Sequence, residues 1–76
     1  MEKIGKEFSK KLGDIIKSEL MKRSISTVKF SNFYLYVSED TLKKWLYCGI
    51  PTLSDFDLCC EKLNLNPFLI ISSILG

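Results

Sequence analysis

Residues 38–66 read SEDTLKKWLYCGIPTLSDFDLCCEKLNLN, and this stretch decides the fold. Ser38 followed by Glu39 and Asp40 is a helix start: the hydroxyl can accept from orphan backbone N–H groups, and the acids sit at the positive end of the helix dipole. The helix predicted from there carries Leu42, Trp45 and Leu46 at three- and four-residue spacing, the period of one buried face. Gly49 ends it and Pro51 follows. Thr52 or Ser54 then caps a helix whose apolar face is Leu53, Phe56, Leu58, Cys59 and Leu63, and Asn64 closes it. Asn66 and Pro67 open a last short helix over 68–75 that contains no charged residue.

Working outward toward the N-terminus, Ile4, Phe8, Leu12, Ile15, Ile16 and Leu20 recur at helical spacing, while Lys3, Lys6, Lys10, Lys11 and Lys17 fill the other faces. An amphipathic helix is therefore predicted from about Glu2 to about Lys22, with Gly13 a weak point in its interior. Ser26 can cap a second helix with Val28, Phe30, Ser31 and Tyr34 turned inward. Phe30, Phe33, Tyr34 and Tyr36 would suit a strand as well, so local sequence leaves this segment open. The expected fold class is all-α: one domain over 1–76, a bundle of about five helices.

A chain of 76 residues with 46% hydrophobic and 26% charged residues is an ordered globular domain with a modest core. The net charge of +2 is unevenly spread: residues 1–23 hold seven Lys/Arg against four Asp/Glu, and residues 53–76 hold one against three. The basic side is N-terminal, which matters for a polyanionic partner. Cys48, Cys59 and Cys60 suggest no disulfide framework, since the last two are neighbours pointing to different sides of a helix, and a reducing cytoplasm is the expected compartment. Without histidine and without a CxxC pair, neither a zinc site nor any other cofactor is expected. No apolar run approaches the length needed to cross a bilayer, so no membrane partner is expected. Histidine is absent and the acids do not converge, so the chain is not expected to be an enzyme.

The order of cap, short helix, Trp45, Gly49, Pro51, second helix and Leu63-Asn64-Leu65 resembles the Cro and lambda-repressor-like helix-turn-helix family, and residues 12–66 follow that family's layout. The resemblance implies a recognition helix starting at Ser38 and a small transcriptional regulator, repressor or antirepressor, of phage or mobile-element type. Three departures fall on the surface that would touch DNA. Thr27 stands where the family usually has a phosphate-holding Gln, Leu35-Tyr36-Val37 replaces a glycine-containing turn that is one residue shorter, and Glu39 and Asp40 occupy positions of base or phosphate contact.

A helix-turn-helix places the N-terminal residues of its second helix against base edges in the major groove. Here those are Ser38, Glu39, Asp40, Thr41 and Lys43; Lys44, Lys29, Thr27 at the family's phosphate-holding position and Tyr47 from the following loop complete the candidate DNA-binding residues. The same Glu39 and Asp40 serve equally as helix caps, and two adjacent acids oppose approach to phosphates. The aromatic residues lack the interleaved cations that a single-strand stacking platform needs, and Trp45 is expected in the core. Phe68, Leu69, Ile70, Ile71, Ile74 and Leu75 exceed what one face of a short helix can bury, which marks a homodimer or partner interface. Two partners fit this reading: double-stranded DNA, bound by a dimer, or a repressor or other protein bound by an antirepressor that uses the same fold.

Overall fold

The computed structural model describes residues 5–76. Helix α1 spans Lys6–Lys22; Gly5, expected inside it, is instead its non-helical N-cap (φ −58°, ψ 151°), and Glu2, Lys3 and Ile4, assigned to it by periodicity, lie outside the described residues. The second helix, α2, is α-helical over Thr27–Lys29 and π-helical over Phe30–Leu35. Helices α3 (Glu39–Cys48), α4 (Leu53–Leu63) and α5 (Pro67–Leu75) complete five helices among the described residues. The all-α expectation is met, and no helix among these residues is long and apolar enough to cross a membrane.

The caps that bound these helices are local and chemical. Ser26 Oγ accepts from the Lys29 N–H at 3.1 Å, Ser38 Oγ from Thr41 N–H at 3.1 Å, and Thr52 Oγ1 from Asp55 N–H at 3.2 Å, which selects Thr52 over Ser54. Asn66 Oδ1 accepts from both Phe68 and Leu69 N–H groups, and Pro67 stands at the first helical position, where its missing donor costs nothing. Asn64 closes α4 in the left-handed region at φ 58°.

One continuous apolar cluster joins the helices: Leu12, Ile16 and Leu20 from α1, Phe30 and Leu35 from α2, Leu42, Trp45 and Leu46 from α3, Ile50 from the following turn, and Phe56, Cys59, Cys60 and Leu63 from α4. Three sequence expectations are corrected. Val28, on the opposite side of the helix from buried Phe30, is 45% exposed, and Leu35 is buried because i→i+5 bonding through Phe30–Leu35 widens the turn and brings residues five apart onto one face. Leu53 faces outward on the first turn of α4, whereas Cys60 is fully buried beside Cys59. Helix α4 packs against α1, the π-helical stretch and α5, so it buries more than one face and accommodates both cysteines.

The aromatic segment is helical, with Tyr36 as its left-handed terminator (φ 58°, ψ 41°). The Tyr36 and Val37 N–H groups both donate to the Ser31 carbonyl, the arrangement a glycine ordinarily supports at a helix end. A side chain there costs on the order of 1 kcal/mol. Tyr36 is 80% exposed and recovers little by packing. Leu35 ends the helix and is not part of the turn, so residues 36–38 alone join α2 to α3.

Helix α1 and the end of α3 approach each other closely. A Cβ on Gly13 would collide with the Trp45 carbonyl oxygen, and one on Gly49 would collide with Ser9 Oγ. Ser9 Oγ–H donates to the Ile50 carbonyl at 2.6 Å, and the Ile50 N–H donates to the Ser9 carbonyl at 3.1 Å, so this small-residue seam is also a hydrogen-bonded one. Gly13, a weak point by propensity, is what lets the two helices meet.

Candidate nucleic-acid interface

Helix α3 buries Leu42, Trp45 and Leu46 and leaves Asp40, Lys43, Lys44 and Tyr47 exposed. These four are spaced three, one and three apart, which places them on one side of the helix. The start of α3 is occupied by its own cap: Ser38 Oγ–H also donates to Thr41 Oγ1 at 2.8 Å, which leaves Thr41 half-buried. Ser38 and Thr41 are therefore committed first to ending the chain's turn.

The charges on this face are partly self-neutralised. Glu39 Oε2 lies 3.3 Å from Lys43 Nζ, one helical turn away. An exposed i,i+4 pair of this kind contributes about 0.3 to 0.5 kcal/mol, small enough to exchange for an outside charge. Among the described residues Asp40, Lys44 and Lys29 form no ion pair. Lys29 is exposed one turn into α2, its backbone N–H held by the Ser26 cap.

Tyr47 joins this face to the rest of the molecule. Its ring lies under Lys17 Nζ of α1, 4.6 Å from nitrogen to centroid. Lys17, Met21, Ser26, Thr27 and Tyr47 line one open groove in which α1, α2 and α3 meet. Thr27 and Tyr47 thus line the same groove, together with Lys17, a cation that sequence reasoning missed. No local signal distinguishes Lys17 from the other lysines of α1; only the crossing of α1 over α3 selects it.

The candidate interface on α5 divides. Phe68, Leu69 and Leu75 are exposed, while Ile70, Ile71 and Ile74 are half-buried against the core cluster. The six residues therefore form two faces, one packed on the protein and one open. Leu53 and Phe68 line a groove between α4 and α5 on the open side.

The three cysteines are free. Burial pushes the Cys59 thiol up to about 12, helped by Cys60 and Asp55, and pushes Cys60 up to about 11, helped by Asp57. Both stay neutral thiols at physiological pH, as packing groups do. Cys48 is exposed at the end of α3.

Comparisons with protein families, characterised proteins and solved structures find no match to this chain.

Proposed function

We propose that this protein is a small helix-turn-helix transcriptional regulator of the Cro and lambda-repressor type, which binds duplex DNA through α3 and acts in the cytoplasm. The observation that carries this reading is the uncovered face of α3, Asp40, Lys43, Lys44 and Tyr47, borne by a helix whose other side is fixed in the core. Residues 36–38 join α2 to α3 at the length a helix-turn-helix uses, and the groove holding Thr27 and Lys17 flanks the same face, in reach of a phosphate.

A second reading, an antirepressor that offers this face to a basic protein, is favoured by one observation. Asp40 is exposed and unpaired among the described residues, while Glu39 takes up Lys43, so the first turn of α3 is acidic. The double substitution Glu39→Gln with Asp40→Asn separates the two readings. In a DNA-binding regulator it raises affinity for arbitrary duplex several-fold, since an exposed charge pair at contact distance is worth about 1 kcal/mol in water, and Lys44→Ala lowers affinity and flattens its salt dependence. In an antirepressor the acid substitutions weaken the protein complex and leave DNA affinity negligible in every form. Wild-type protein that shifts no duplex, its own promoter included, at low salt overturns the DNA reading.

The regulator would act as a dimer, because one short recognition helix covers only a half-site. Helix α5 supports this with an uncharged face that exposes Phe68, Leu69 and Leu75. Leu69→Asp with Leu75→Asp should give a monomer with unchanged helical content in sedimentation velocity. Substitutions at Ile71 or Ile74 would test folding as well, since both pack against the core. A wild type that sediments as a monomer at every concentration removes the dimer from the proposal.

A further inference from the structure

Helix α1 carries Lys6, Lys10 and Lys17 along one line, at spacings of four and seven residues, with Lys11 about a quarter turn further round the helix. At a rise of about 1.5 Å per residue this row is roughly 16 Å long. It does not stand apart from α3. Lys6, Lys10, Lys11, Tyr47 and Cys48 line one open groove, and Tyr47 lines a second one with Lys17 and Thr27. Tyr47 is therefore the point at which the α1 row meets the exposed face of α3.

The row is positive overall. Its acids are Glu7, which lines the first groove, and Asp14, which pairs with Lys10 at 3.2 Å on the open surface. Such an exposed pair exchanges readily for a phosphate. Lysine ammoniums are compact charges on flexible stems, suited to following a line of phosphates without fixing a register. A row of about 16 Å is long enough to touch more than one phosphate of a strand.

Resting on the DNA reading above, we infer that Lys6, Lys10, Lys11 and Lys17 form a second contact, a backbone track that holds duplex DNA flanking the turn read by α3. The charge that α3 itself lacks is supplied from α1. The acidic first turn of α3 can then lie close to bases while affinity comes from the flank.

The test compares the full chain with a Lys6→Gln, Lys10→Gln, Lys11→Gln variant and with the charge-keeping Lys→Arg variant at the same three positions. All are titrated against a duplex about one helical turn long and another about three turns long, at several salt concentrations. The expected result is that the Gln variant matches wild type on the short duplex but binds the long one more weakly. Its slope of log affinity against log salt on the long duplex should be shallower by about 2 to 3, near 0.9 per lost phosphate contact. The Arg variant should bind like wild type. Equal affinities of Gln variant and wild type on both duplexes overturn the track, as does an equal loss on both. In either case Lys44→Ala, which should weaken binding at both lengths, reports separately on the α3 reading. Wild-type protein that binds an acidic polypeptide through these lysines and no duplex overturns both.

Discussion

Replacing Trp45 by alanine should remove about 3 to 5 kcal/mol of stability, the cost of emptying a large aromatic site in a core. Trp45 is 8% exposed, sits between Leu42 and Leu46 on the inward face of α3, and has its carbonyl against Gly13 of α1. Domains of this size hold only about 5 to 10 kcal/mol in total, so the variant should be largely unfolded at modest urea concentration. Urea titration followed by far-ultraviolet circular dichroism reads this directly, with Trp45→Phe as the milder companion. As the only tryptophan, Trp45 also reports its own placement: native emission should be blue-shifted and move red on unfolding. A red native maximum, or an alanine variant as stable as wild type, contradicts the core described above.

The second large effect is expected at Gly49. Its φ of +120° lies where L side chains rarely go, and a Cβ there would meet Ser9 Oγ, the Lys10 nitrogen at 3.0 Å and the Ser9 carbonyl carbon at 3.0 Å. Two of those atoms are helix backbone, so no rotamer change relieves the contact. Backbone strain of about 1 to 3 kcal/mol adds to a similar cost of overpacking, and Gly49→Ala should destabilise by about 2 to 4 kcal/mol. The reciprocal hydrogen bonds between Ser9 and Ile50 would be displaced with it. Gly5→Ala is the control, because a Cβ at Gly5 meets nothing within 4 Å, and its thermal midpoint should stay close to that of wild type. Equal midpoints for the two variants would show that the seam between α1 and the end of α3 is looser than its geometry implies.

The proposed interface distributes recognition and attraction over two helices. Helix α3 offers a short, nearly neutral face, and α1 offers the cations. Affinity in such an arrangement depends on salt through α1 and on sequence through α3, which makes the two contributions separable by the substitutions described above.

The starts of α2, α3 and α5 were legible in the sequence because they are local chemistry, whereas the cap of α4 was left between Thr52 and Ser54. Ser26, Ser38, Thr52 and Asn66 each hold orphan N–H groups within three residues, and Asn64 tolerates left-handed backbone wherever it occurs. The inward face of α3 followed from its period. The segment 27–37 was not legible, since its aromatic residues fit strand and helix alike, and its register depends on the π-helical turn that pairs Phe30 with Leu35. Of the residues on the candidate face, Lys44 was named from its position on α3 and Tyr47 as a loop residue that proves to lie on α3, whereas Lys17 was not named.

By itself, then, the sequence determined the all-helical class, the caps at Ser26, Ser38 and Asn66, the burial of Trp45 and the uncharged character of α5. The tertiary structure alone decided which lysines stand beside α3, that Gly13 and Gly49 form a contact seam, that both Cys59 and Cys60 are interior, and that α5 divides into a packed face and an open one. The physical reason is range. Caps and periodicity act within about one helical turn and are written in neighbouring residues, while seams, grooves and charge rows arise only where distant helices cross, and a lysine carries no local mark of what lies across from it.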